Sequence, residues 1–275
     1  MKLKIALVTG LIAGLVPVAT AGAAPVAHSA KLPALTLTMN GKSIKVSGAR
    51  VSGAVTVISK TKEAQSSPQL TRLNPGVTFA QAFRAVGRHH GDTNYLQGLA
   101  AVTYNTTNGK GTSSAQTVLK PGRYVAIDTI KNNPAKWPHV TFTVKKAKHA
   151  AKLPKAGATV KMIEFGFTGP STWHVGETIR FADAGFLAHM VIGIKVANQA
   201  AAALVTKELQ AGNDNAAQKG AIGFASFVGV ASPGLLQQQK ITASPGTYVL
   251  ACFMNTQDGR EHTRLGMERT ITIAP

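Results

Sequence analysis

Gly246-Thr-Tyr248-Val-Leu250-Ala-Cys252, followed after a short insert by His262-Thr-Arg-Leu-Gly-Met267, decides how this chain is read. The first segment alternates. Residues two apart on a strand share one face, so Tyr248, Leu250 and Cys252 form a single row, and Cys252 ends it. The preceding Ser244-Pro245-Gly246 reads as a turn into that strand. A second apolar strand is expected upstream at Ala188–Val196, and it carries His189. An imidazole inside such a strand is costly unless something satisfies it.

Cys252 is the only cysteine of 275 residues, so no intrachain disulfide can form. A thiolate, imidazoles and a thioether form a soft donor set that suits copper. Each residue also has a plainer reading. Free cysteine packs like a small hydrophobe, Met267 fits a core methionine, and His262 lies in a polar stretch where Glu261 is a ready partner. His189 has a backbone carbonyl as its alternative partner.

The remainder of the chain sets the context. Residues 1–23 read as an export signal: Lys2 and Lys4 precede an apolar run, and Ala19-Thr20-Ala21 and Ala21-Gly22-Ala23 are small-x-small cleavage sites. The run is short for a membrane span, which needs ~20 apolar residues. Secretion, or retention in the cell envelope or periplasm, follows. Residues 24–34 read as a disordered Ala/Pro-rich spacer. The net charge is +19. Residues 31–144 hold fourteen Lys/Arg against three Asp/Glu, residues 145–161 hold six Lys and no acid, and residues 162–275 hold eight of each sign. A basic first half and connector point to a polyanion partner, such as an anionic envelope polymer or a membrane surface. A charge that merely keeps the chain soluble is the alternative. Nucleic acid is not favoured, because no aromatics interleave the basic residues for base stacking.

Strand patterns dominate both halves. In the first, they are expected at Leu35–Met39, Ser43–Ser47, Val55–Ile58, Tyr124–Thr129 and Val140–Val144, with a helix over Thr78–Val86. Residues 87–98 and 105–114 read as loops. In the second, strands are expected at Val160–Phe167, Thr178–Phe181, Ala188–Val196, Lys240–Thr242, Thr247–Cys252 and Arg269–Ile273, with a helix over Gln199–Gln210. Pro121-Gly-Arg-Tyr124-Val and Pro245-Gly-Thr-Tyr248-Val occupy matching places. We therefore expect an all-β chain, a tandem repeat of one β-sandwich joined by a basic linker at 145–161, with one helix inserted in each half.

Gly176-Glu-x-Ile179-x-Phe181 followed by His189-x-Val191, the strand ending in Cys252, and His262-x-x-x-x-Met267 together resemble the cupredoxins, the blue copper proteins of the plastocyanin and azurin type. The resemblance covers about residues 160–275 and, more weakly, 35–144. It implies two Greek-key β-sandwich domains, at 35–144 and 162–275, the first without a ligand cysteine. It implies copper held by His189, Cys252 and His262 in a plane, with Met267 as weak axial ligand, and a redox partner protein. One feature departs from the family. The loop from Cys252 to His262 is longer than the family's, and it carries Asp258-Gly259, a two-residue hairpin signal. A regular hairpin there pairs His262 with Asn255 and leaves it roughly 10 Å from the thiol.

Other chemistry is sparse. His89-His90 and His139 offer weak surface metal sites at most. Asn105-Thr106-Thr107 fits a glycosylation acceptor. No phosphate-binding loop, His-Glu-x-x-His motif or Gly-x-Ser-x-Gly elbow is present. The expectation is a protein that is not an enzyme. Its main rival is a metal-free module that attaches to envelope material through the basic first half.

Overall fold

The computed structural model describes residues 31–89, 92–107, 109–129 and 136–275. The expected export signal and His90 lie outside the described residues. The chain from Lys31 to Pro275 forms one compact unit. It is mostly β-sheet, with few helices. Among the described residues, no helix is long and apolar enough to cross a membrane.

The first half carries β1 (Ala34–Met39), β2 (Ile44–Gly48), β3 (Gly53–Thr61), β4 (Pro68–Leu73), α1 (Phe79–Arg88), β5 (Ala100–Asn105), β6 (Gly111–Leu119), β7 (Gly122–Asp128) and β8 (His139–Val144). The second half opens with β9 (Ala158–Ile163), β10 (Gly166–Thr168), β11 (Thr172–His174), β12 (Thr178–Asp183) and β13 (His189–Val196). It continues through α2 (Gln199–Gln210), α3 (Asp214–Lys219), β14 (Gly223–Ala231), β15 (Leu236–Lys240), β16 (Gly246–Ala251) and β17 (Glu268–Ala274).

Period-two patterning makes these strands. In β1, Leu35, Leu37 and Met39 are buried, while Thr36 is half-buried and Thr38 exposed. That alternation places one face on a core. Helix α1 starts at a capping box in which Thr78 and Gln81 satisfy each other's backbone N–H groups. Helix α2 is capped by Asn198, whose Oδ1 accepts from the Ala201 N–H at 2.9 Å. It buries Ala202, Val205 and Leu209 against β13 and β16.

Three sheets result. The four-stranded sheet runs β5-β4-β7-β8, and the five-stranded sheet runs β11-β17-β16-β13-β14. The eight-stranded sheet runs β10-β9-β12-β15-β6-β3-β1-β2 and spans both halves. Its halves meet where β6 pairs antiparallel with β15, Thr117 opposite Gln237 and Gln116 opposite Gln238. Outward from that seam each side adds strands in the same pattern, with one parallel pair each, β1·β3 and β9·β12. Separate apolar cores lie beneath the two sides, around Leu35, Val55 and Tyr124 in one and Trp173, Phe181 and Phe227 in the other.

Several expectations need correction. Pro33 accepts the Thr56 N–H at 2.9 Å and Ala34 opens β1, so residues 31–34 are not a free spacer. Residues 111–114 belong to β6 rather than a loop. Residues 158–161 are strand, and the connector before them is tied down: Ala151 accepts from the Ala54 N–H, and Pro154 accepts from Arg180 and Gln238. The second half has two helices where one was expected. The strand expected at Lys240–Thr242 lies earlier, as β15. Its Gln237 and Gln238 are buried, where β15 pairs with β6. Asn105 is buried and donates to Pro68 at 3.2 Å, so it is no glycan acceptor.

Candidate metal centre

The second core sets the floor of the site. Trp173 packs edge-on against Phe181 and Phe227, and Phe227 meets Tyr248. Tyr248 and Leu250 are buried, and their row carries Cys252 to the end of β16. The Cys252 N–H donates to the Met267 carbonyl at 3.3 Å. His189 is the first residue of β13, next to an irregularity in its pairing with β14. Such a bulge re-aims side chains at a strand end.

The insert before His262 resolves the spacing problem. Asn255 pairs with Glu261, one residue off the register expected for the hairpin. The turn takes up residues 256–260, with Thr256 N–H on Arg260 and Gly259 at φ 83°. The His262 N–H then donates to Met254 at 2.8 Å, and residues 262–265 form a 3₁₀ turn. Met267 N–H donates to the His262 carbonyl at 3.0 Å. This turn swings His262 back over the strand end, so the separation of about 10 Å expected from a regular hairpin does not occur.

The three side chains meet. Cys252 Sγ lies 3.4 Å from His262 Nδ1 and 3.8 Å from His189 Nδ1, and the two Nδ1 atoms are 3.2 Å apart. All three residues are fully buried. The centre of that triangle is ~2.0 Å from each corner, the length of a metal–nitrogen bond and near that of a metal–sulfur bond. Met267 is buried in the same core, its backbone bonded to both Cys252 and His262.

Burial shapes the electrostatics. It pushes the Cys252 thiol up to about 12, against the backbone N–H groups of Met190 and Met254 that favour the thiolate. The Met190 N–H donates to Sγ at 3.4 Å. Burial drives His262 down to about 4, with His189 adding to the effect. It also lowers His189, partly offset by Glu164. The imidazoles are therefore neutral at pH 7, the state in which nitrogen binds a metal. Nε2 of His262 is buried and makes no hydrogen bond of ordinary geometry, the Asn255 backbone compensating only in part. The ring of Phe165 packs edge-on against it at 4.9 Å.

Two contributors were missed in the sequence. Glu164 Oε1 lies 3.2 Å from His189 Nε2; the only signal was a carboxylate in an otherwise apolar strand end. Asn94, from the first half, accepts the Ala188 N–H at 2.9 Å and donates to Asn255 at 2.7 Å. It thereby pins both loops that flank the site, and no local pattern in the sequence announces it. Among the described residues, the other candidate histidines lie elsewhere: His89 stacks on Tyr95, and His139 lies against Phe79.

No family model and no curated protein matches the chain. Among solved structures, it is similar to a dithionite-reduced auracyanin from Roseiflexus castenholzii, at 22% identity over 42% of this chain and 95% of that one, with a TM-score of 0.26. It is similar to the "blue" copper protein auracyanin A from Chloroflexus aurantiacus, at 19% identity over 41% of this chain and 98% of that one, with a TM-score of 0.26. It is also similar to a copper nitrite reductase from Nitrosomonas europaea, at 11% identity over 87% of this chain and 92% of that one, with a TM-score of 0.24. All three TM-scores are below 0.5, and the buried His189–Cys252–His262 group is defined by its own distances.

Proposed function

We propose that this is an exported, cupredoxin-like electron-transfer protein that holds one copper ion between His189, Cys252 and His262. One observation carries the reading: a sulfur and two imidazole nitrogens converge, fully buried, with sides of 3.2, 3.4 and 3.8 Å. A two-histidine, one-cysteine trigonal set is the donor chemistry of blue copper sites. Bound copper supplies a one-electron couple. The residues do the rest. Cys252 and His189 sit at strand ends and His262 on a short helical turn, so the donors keep their places. Burial excludes water from the thiolate, and the Met190 N–H stabilises it. Met267, buried in the same core, would add a weak thioether donor.

Full burial favours electron transfer over metal delivery, since a closed set gives an ion no open coordination position. We read the chain as a tandem of two such sandwiches, the first without the cysteine. The matching strand order about the β6·β15 seam supports this. So do Tyr124 and Tyr248, whose hydroxyls donate to the carbonyls of Lys120 and Ser244, each four residues back.

The test is direct. Cu(II) added to the purified protein is expected to give an intense visible thiolate-to-copper band that Cys252→Ser abolishes. A colourless wild-type protein whose thiol still reacts with a thiol reagent rejects the reading.

A further inference from the structure

Glu164 has work that the ligand set does not explain. A single oxygen of its carboxylate, Oε1, accepts three hydrogen bonds: from the Phe186 N–H at 2.5 Å, the Leu187 N–H at 2.7 Å and, on the remaining side, His189 Nε2 at 3.2 Å. The side chain is largely shielded, and Gly185 makes room for it. A Cβ at Gly185 would stand 2.4 Å from Oε1 and 2.8 Å from Oε2. The carboxylate is thus seated in a built cradle between the β9–β10 turn and the loop that enters β13.

An imidazole with its Nε2 held against a carboxylate carries its proton there and leaves Nδ1 bare. Nδ1 of His189 is the atom that faces Cys252 and His262. From this geometry we infer that Glu164 is a positioning residue: it fixes the Nε2–H tautomer and the ring orientation of His189, and its negative charge favours the more oxidised state of a metal held there. This rests on the copper reading for its second half only. The tautomer is a property of the protein without metal.

Three full-length variants test it. Glu164→Gln keeps an oxygen able to accept all three bonds and loses the charge. Glu164→Leu removes the acceptor. Gly185→Ala leaves the carboxylate intact but drives it from the cradle. In ¹⁵N-histidine-labelled, metal-free protein, wild type and Glu164→Gln are expected to show His189 as the pure Nε2–H form. Glu164→Leu and Gly185→Ala should shift it to a mixture. With Cu(II), the same two variants should bind about 10–100-fold more weakly, the usual effect of losing such a partner. Glu164→Gln should bind nearly as well as wild type but with a raised reduction potential. If Glu164→Leu does not fold, Gly185→Ala and the potential of Glu164→Gln still decide. A pure Nε2–H form in Gly185→Ala, or an unchanged potential in Glu164→Gln, overturns the assignment. Loss of the tautomer together with no copper binding by wild type upholds Glu164 as the holder of His189 and rejects the copper reading alone.

Discussion

Cys252 meets neutral pH as a protonated thiol, because burial pushes it up to about 12. A metal must therefore displace that proton, while the two neutral imidazoles release none. Copper uptake is expected to release one proton and to tighten about tenfold per pH unit between pH 6 and 8. Calorimetry in buffers of different ionisation enthalpy counts the proton. Glu268 makes a separate residue-scale case. Burial pushes its carboxyl up to about 7, while Gln210 pulls the other way. A carboxyl raised in the folded state favours folding below its ordinary range, and that contribution is lost as pH rises through 7. Glu268→Gln cannot ionise, so it should gain stability relative to wild type between pH 5 and pH 8. Urea midpoints at the two pH values measure the difference, and a constant difference contradicts the burial argument.

At the scale of elements, the two tyrosines that close the Pro-Gly-x-Tyr turns test the local architecture. Each hydroxyl is bonded to a backbone carbonyl four residues earlier, at 3.0 Å for Tyr124 and 2.8 Å for Tyr248. Tyr248→Phe should cost about 1 kcal/mol in denaturant unfolding, and Tyr124→Phe more, because its hydroxyl also accepts the Lys120 N–H at 3.1 Å. The strand with Cys252 was legible for a simple reason: an alternating row that packs on aromatics must show period two. Strand β15 was not. Gln237 and Gln238 are buried at the seam, where Gln237 accepts the Asn105 N–H at 3.3 Å and Gln238 donates to Gln116 at 2.8 Å. A buried strand built of polar residues has no apolar signature to read. The hairpin at Asp258-Gly259 is one residue off the expected register, because its loop has three residues, closed by Gly259 N–H on Thr256 with Gly259 left-handed, where Asp-Gly signals two.

The whole molecule is held together at that polar seam. Thr117 donates to Leu236 at 2.7 Å, Ser232 accepts the Val102 N–H at 2.9 Å, and Asn94 ties the first half to both loops of the candidate centre. Residues 158–275 made alone would expose β15 as an unpaired edge, which templates further pairing. That fragment is expected to self-associate in light scattering where the full chain does not, and a monomeric fragment with native-like spectra contradicts the expectation. Asn94→Ala in the full chain should leave the fold intact and loosen the loops at 186–188 and 253–256, seen as faster amide exchange there and not in β1–β3.

Read alone, the chain settles its β character, the places of α1 and α2 and the types of side chain offered as donors, because period, caps and residue chemistry are local properties. It could not bring His262 to Cys252: a loop of that length has many closures, and only the 3₁₀ turn, packed under Phe165 and bonded to Met254 and Met267, selects one. Nor could it find Glu164 or Asn94. Their roles come from hydrogen bonds to segments distant in sequence, and those partners exist only once the sheets have packed.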